Sequence, residues 1–374
     1  MELLKQAAAA EPVSAEAEDS IGFLYAVLGK SANSIEHFQK AIGAAPDLAV
    51  ARYHLGVAYW LQQNPTEAIP QLERAVGLAP GNFDYSLRLG TALLETSHYA
   101  EAARELKKTT TLNVSNGSAW NSLGHALQKS GDLGGAVQAY EKAVGLNPAE
   151  DLWRNDYGFM LVETRKPDQG LAEFRKILAH DSSNSRVRVN VGYAYIKKGD
   201  FALAEREFRA ALVKDAASAS GHYDLAIALK QQDKLEAAAV EFREAIRLEP
   251  GLAAAHYSLG ITKWQMGEFA AAITAMRGAI AVRPEYAEAH YMLGTLLKQS
   301  GEPEKAIPEL REAMRLDPET PGPVNTLAQI LRLQGKKQES AELFALGARL
   351  KLVKEAELSK ALDQGMGNSV LLPR

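Results

Sequence analysis

The chain has 374 residues, of which 47% are apolar and 24% charged, so it can bury a large core and resembles neither a disordered nor a collagenous polymer. Lys+Arg 42 against Asp+Glu 46 gives a net charge of −4 with no basic block, which argues against a nucleic-acid partner gripped through its phosphates. The absence of cysteine excludes disulfides, thiolate metal sites, iron–sulfur clusters and cysteine nucleophiles together.

At the N-terminus, Met1 to Lys5 followed by Ala7 to Ala10 carries an acid at position 2 and no long apolar run, so it does not read as a secretory leader. No window approaches 18 consecutive apolar residues, so no membrane span is expected, and the cytoplasm is the default compartment. From residue 15 a strict period takes over. Gly22, Gly56, Gly90, Gly124, Gly158, Gly192, Ala226, Gly260, Gly294 and Ala328 follow one another at steps of 34 residues. With each of these at position 8, ten units result: 15–48, 49–82, 83–116, 117–150, 151–184, 185–218, 219–252, 253–286, 287–320 and 321–354. Counting back 34 from Phe38, Ala41 and Pro46 lands on Leu4, Ala7 and Pro12, so residues 1–14 read as the second helix of a partial repeat, the chain starting as a fragment or with a half-repeat cap.

Within each unit position 7 is mostly Leu, Ile or Val, position 20 is always small and position 24 is always large and apolar, from Phe38 and Leu72 through Tyr140 to Phe344. Position 32 is Pro in six units, for example Pro46 and Pro148, and a turn signal such as Ser130-Gly131-Asp132 or Lys198-Gly199-Asp200 lies between positions 14 and 17. The spacings 4, 7, 8, 11 and 20, 24, 27 are helical in each half, so every unit is expected to be two amphipathic helices joined by a Gly-containing turn. Small residues at 8 and 20 opposite a large one at 24 let the two backbones approach closely. One hairpin cannot bury its apolar face alone, so the units must stack, and the expected fold is an all-α solenoid of about ten helix-turn-helix repeats.

The pattern resembles the tetratricopeptide repeat, most fully in the fourth unit, through Trp120, Leu123, Gly124, Leu127, Ala136, Tyr140, Ala143 and Pro148. The resemblance implies a right-handed superhelix whose first helices line a concave groove that holds proteins or peptides. Departures cluster in the middle: Val114 stands at position 32 of unit 3, Gly170 and Ser182 occupy positions 20 and 32 of unit 5, and Ala216 stands at position 32 of unit 6. Units 5 and 6 are therefore a candidate joint. After the tenth unit, Leu350, Val353, Leu358 and Leu362 continue a helical stripe, so residues 355–374 read as a capping helix and a tail, with Gly365-Met366-Gly367-Asn368-Ser369 breaking the helix.

Phosphate loops, nucleophile elbows and HExxH are absent, so neither catalytic residues nor a cofactor is expected. His222, His256 and His290 share position 4 of three consecutive units, but neighbouring helices lie about 8 to 10 Å apart and metal–nitrogen bonds are near 2 Å, so no metal is expected there; these rings stand where the family often packs Trp. Asn113-Val114-Ser115 and Asn116-Gly117-Ser118 are glycosylation sequons with no other sign of a glycosylating pathway. Charges such as Glu241, Arg243, Glu244 and Arg247 fall at i, i+3 and i, i+4 spacings on a second helix and read as a solvated face.

Positions 5, 9 and 12 form a separate stripe on the first helices, which the resemblance places on the groove wall. It carries Tyr53 and Trp60 in unit 2, Phe159 in unit 5, Tyr193 in unit 6, Tyr223 and Lys230 in unit 7, Tyr257 and Trp264 in unit 8, and Tyr291 and Lys298 in unit 9. These ten residues are the candidate partner-binding groove, because aromatic groups with a polar handle anchor interfaces. Position 5 is never Lys and position 9 never Asn, so the family's carboxylate clamp is not expected; position 6 holds Asn only at Asn190, so neither is its asparagine ladder. The expectation is a monomeric, non-enzymatic scaffold that holds a protein or peptide segment. The alternative is a substrate-recruiting arm of a larger enzyme or of a secretion or assembly component.

Overall fold

The computed structural model describes residues 14–363; the expected half-repeat before residue 14 and the tail after residue 363 lie outside them. The described residues form twenty α-helices in ten hairpins. The first five are α1 (Ala15–Val27) with α2 (Ser31–Ala44), α3 (Ala49–Leu61) with α4 (Pro65–Leu78), α5 (Phe83–Glu95) with α6 (Tyr99–Leu112), α7 (Gly117–Ser130) with α8 (Leu133–Leu146), and α9 (Asp151–Glu163) with α10 (Pro167–Leu178). The other five are α11 (Ser185–Lys198) with α12 (Phe201–Leu212), α13 (Ala219–Lys230) with α14 (Leu235–Leu248), α15 (Ala253–Gln265) with α16 (Phe269–Val282), α17 (Ala287–Gln299) with α18 (Pro303–Leu316), and α19 (Pro321–Leu333) with α20 (Lys337–Asp363). The fold is an all-α helical-repeat solenoid. The chain divides into two compact units, Met1–Ser182 and Ser183–Arg374, each with five hairpins, and the division falls in the stretch that departs most from the repeat pattern.

Local chemistry sets the helix ends. Asn82, Asn116 and Asn184 each place Oδ1 on a backbone N–H of the first turn, from Tyr85, Ala119 and Val187 at 3.1, 2.8 and 3.1 Å, which satisfies donors that a helix N-terminus leaves open. The turn inside each hairpin has a left-handed residue at position 15 in all ten repeats. It is Gly in six, such as Gly131 (φ 91) and Gly199 (φ 81), but Gln63, Ser97, Arg165 and Asp233 hold φ of 58 to 65 in the others. Such a backbone costs a non-glycine residue about 1 kcal/mol or more, so the position is set by the need to reverse the chain and not by the residue that fills it.

Packing follows from positions 8, 20 and 24. Position 20 is buried in every repeat, and nine of the ten position-24 side chains, among them Phe38, Leu72, Tyr140, Phe174 and Phe242, are no more than 2% exposed. Each lies directly on the small residue at position 8: a Cβ built on Gly124 would stand 2.7 Å from the Tyr140 ring, and one on Gly192 2.5 Å from Phe208. The exceptions mark the ends of the stack. Phe344, in the last described repeat, is only partly buried. Leu24, at position 10 of the first repeat, is 45% exposed, whereas its counterparts Ala92, Ala126, Met160, Ala194, Ala228, Thr262 and Leu296 are all at 0%. Position 10 is therefore the surface that a preceding repeat covers. At the other end α20 runs unbroken through the stretch read as a cap, and its Leu352, Val353 and Leu358 are exposed.

A polar clasp joins consecutive repeats at position 4. Arg154 donates to the Pro148 carbonyl of the preceding repeat at 2.6 Å and to Glu173 of its own second helix at 2.7 Å. Arg52 does the same with the Pro46 carbonyl and Gln71, both at 2.9 Å. His222 and His290 reach the Ala216 and Pro284 carbonyls through Nε2 and Glu241 and Glu309 through Nδ1, while His256 and Trp120 reach the Pro250 and Val114 carbonyls at 3.2 and 2.9 Å. The three repeated histidines are thus joint residues, engaged with the chain itself. In the third repeat the short Ser86 stands at position 4, and its Oγ and the Oε1 of Glu105 are buried without partners.

Two substitutions test this account. Gln63→Gly should stabilise the protein by about 0.5–1 kcal/mol by relieving the left-handed turn, seen as a higher urea midpoint. Gly192→Val should destabilise it by about 1–3 kcal/mol, because the Phe208 ring that the new side chain meets is fully packed, and the same measurement should show a lower midpoint.

Candidate partner-binding face

Adjacent first helices lie side by side, and the side chains that meet across them come from positions 5, 6, 9, 12 and 13. His54 Nδ1 meets Asp19 at 2.9 Å and His125 Nε2 meets Asp156 at 3.3 Å in the first unit. In the second, Tyr223 Oη lies 3.5 Å from Ser258 Oγ and Trp264 Nε1 donates to Gln299 at 3.2 Å. The stripe expected from sequence is therefore a continuous first-helix face within each compact unit, with most of its rings partly taken up by the next repeat.

In the first unit Tyr53 stacks on Tyr85 with centroids 4.5 Å apart, and the Arg88 guanidinium lies 5.2 Å over the Trp60 ring. Phe159 packs against the cluster of Tyr140, Met160 and Leu161. In the second unit Tyr193 lies under Lys197 Nζ at 5.0 Å, and Tyr223 tilts onto Phe242 at 5.7 Å. Tyr257 packs on Tyr286 at 5.1 Å, and burial pushes its hydroxyl up to about 12. Tyr291 fills the space beside Gly322, whose Cβ would stand 2.8 Å from the ring, and Lys298 donates to Gln329. Trp264 is the most open of the candidate rings at 37% exposure. The structure thus brings Tyr193, Tyr223, Lys230, Tyr257, Trp264, Tyr291 and Lys298 onto the first helices of one compact unit; Tyr53, Trp60 and Phe159 belong to the other.

Several groups on these faces escape a reading by position alone. Arg88, Tyr85 and Tyr286 are partners of the aromatic stripe, and the Arg88 Nε is buried with no hydrogen bond. On α13, Asp224 and Lys230 have no hydrogen-bond or ion-pair partner among the described residues. Burial alone raises the Asp224 carboxyl to about 6 and lowers the Lys230 ammonium below its ordinary value. Read by position alone, Asp224 is one of several polar residues at position 6, with nothing to mark its isolation.

The second-helix face differs in kind. Glu244 and Arg247 pair at 2.6 Å, as do Glu312 and Arg315, at exposed i, i+3 sites, where such pairs contribute little stability. An open hollow of about 830 Å³ lies on this face around α12 and α14, with Val213 and Val240 exposed at 81% and 53% between Arg209 and Arg243. Among the described residues no group of three His, Asp or Glu could hold a metal ion, and no helix is long and apolar enough to cross a membrane. Asn116, in one of the two sequons, caps α7.

Stacked hairpins with an aromatic first-helix face, five in each compact unit, define a helical-repeat protein. The Tetratricopeptide repeat family model matches residues 20–83, 87–151, 161–222, 257–321 and 292–351, and a second TPR repeat model matches 228–267. These matches span well over half of the chain, which belongs to the tetratricopeptide repeat family, whose repeats are protein–protein interaction modules. Among solved structures the chain is similar to a tetratricopeptide repeat protein from Parabacteroides merdae ATCC 43184, at 15% identity and TM-score 0.57 over 67% of this chain and 98% of that one. It is also similar to the APC/C hetero-tetramer Cut9-Hcn1, at 12% identity and TM-score 0.52 over 85% and 76%. MamA is 25% identical over 43% of this chain and 95% of its own, with a TM-score of 0.42. No curated protein matches the chain in sequence.

The Asp224 carboxyl predicts a pH signature. It titrates near 6 when folded against 3.8 for the free group, so the folded state binds the proton more tightly and loses stability as pH rises from about 4 through 6. Asp224→Asn cannot ionise. It should exceed the wild type at pH 7.5 by up to about 3 kcal/mol, and urea titrations at a series of pH values should show the difference closing toward pH 4.

Proposed function

We propose that this protein is a non-enzymatic scaffold that holds a segment of a protein partner along the first-helix face of its second compact unit, over α11, α13, α15 and α17. The observation that carries the reading is the contrast between the two faces of that unit. The second helices spend their charges on one another in exposed pairs. The first helices present Tyr223, Tyr257, Trp264 and Tyr291 together with Asp224 and Lys230, which pair with nothing among the described residues. Large rings already held by neighbouring repeats lose little freedom when a ligand covers them, which favours affinity, and Tyr and Trp supply both apolar area and a hydrogen-bonding group. The competing surface is the hollow around Val240.

Site-specific photo-crosslinking in the source cells separates these faces. With benzoylphenylalanine in place of Trp264, a discrete protein adduct is expected; with the same group in place of Val240, none. Adducts from Val240 without any from Trp264, or no adduct at Trp264, would overturn the reading.

A further inference from the structure

Asp224 is a carboxylate that the first-helix face withdraws from water without giving it a partner among the described residues. In several other repeats position 6 has a partner. His54 meets Asp19 at position 5 of the preceding repeat, Asp156 meets His125 at position 9 of the preceding repeat, Ser258 faces Tyr223, and Thr326 donates to the Gly322 carbonyl at 3.0 Å. These contacts fix a register in which position 6 is met by positions 5 and 9 of the first helix before it. For Asp224 those positions are Val189, which offers no donor, and Tyr193, whose hydroxyl makes no hydrogen bond to the carboxylate. The carboxylate consequently has neither an ion pair nor a hydrogen bond among the described residues, although it is partly withdrawn from water. Lys230 lies six residues further along α13, about 9 Å along the helix axis at 1.5 Å per residue, and the two do not pair. A desolvated and unpaired carboxylate costs stability, and the fold keeps one in the middle of an aromatic face.

We propose that Asp224 is the anchor for a basic side chain, lysine or arginine, of the segment held on this face, with Tyr193 and Tyr223 taking up the aliphatic stem of that side chain. The inference rests on the reading of the first-helix face as the binding surface and adds the chemistry of what it selects. An arriving ammonium or guanidinium gives the carboxylate the charge-assisted hydrogen bonds that none of the described residues provides, and its stem buries apolar area against the rings. The recognition is by charge complementarity, so it should invert when the charge at this position is inverted.

A phage-displayed library of random dodecapeptides, selected in parallel on the full chain and on its Asp224→Asn, Asp224→Lys and Trp264→Ala variants, tests this. Peptides recovered on the wild type should be enriched in Lys and Arg and should bind Asp224→Asn about tenfold more weakly, and those recovered on Asp224→Lys should carry acidic residues instead. Equal basic content in peptides from the wild type, Asp224→Asn and Asp224→Lys would overturn the anchor role while leaving the face intact, provided recovery drops on Trp264→Ala. Recovery unaffected by Trp264→Ala, or no selected peptide at all, would overturn the binding face and the anchor with it.

Discussion

Each repeat depends on one contact: the large side chain at position 24 lying flat on the small residue at position 8 of the facing helix. The contact leaves no room for a Cβ at Gly124 or Gly192, so the spacing of the two helices is fixed by the thickness of one ring or one leucine. Position 20 must be small for the same reason, and it is buried in every repeat. With helix spacing fixed within a hairpin, the remaining apolar surface can be removed from water only by the next hairpin. The stack follows from that requirement.

The position-4 clasp adds direction to this stack. A backbone carbonyl at the end of one repeat is left without an intrahelical partner, and a side chain from the start of the next supplies the donor, with a carboxylate on the second helix orienting it in several repeats. Arg, His and Trp serve equally because the requirement is for an N–H at one distance and angle, whatever ring or fork carries it. In the first and last described repeats, Leu24 is exposed and Phe344 only partly buried, unlike most of their counterparts.

The 34-residue period, the two helical stripes and the small–large pairing made the fold legible, because they are properties of a single repeat and its immediate neighbour. The place of Tyr53, Trp264 and the other rings on the first-helix face was legible for the same reason. How far each ring is taken up by the chain was not. Tyr53 is claimed by Tyr85 and Tyr257 by Tyr286, partners that sit outside the 5, 9, 12 stripe. Position-4 histidines read as stand-ins for a packing Trp, and their role as donors emerged only when the carbonyl of the preceding repeat came into reach. Asp224 was equally silent, since its isolation depends on Val189 standing opposite it in the repeat before.

A joint that recurs in several repeats of each compact unit also frees the length of that unit from its sequence. Within either compact unit, the faces on the two sides of a 34-residue block match one another as well as they match the block. Loss or duplication of one block rejoins surfaces already shaped to fit. Unequal crossing-over in the gene can therefore lengthen or shorten the binding surface in whole steps, and selection on individual first helices can then write specificity into a surface whose assembly is already solved.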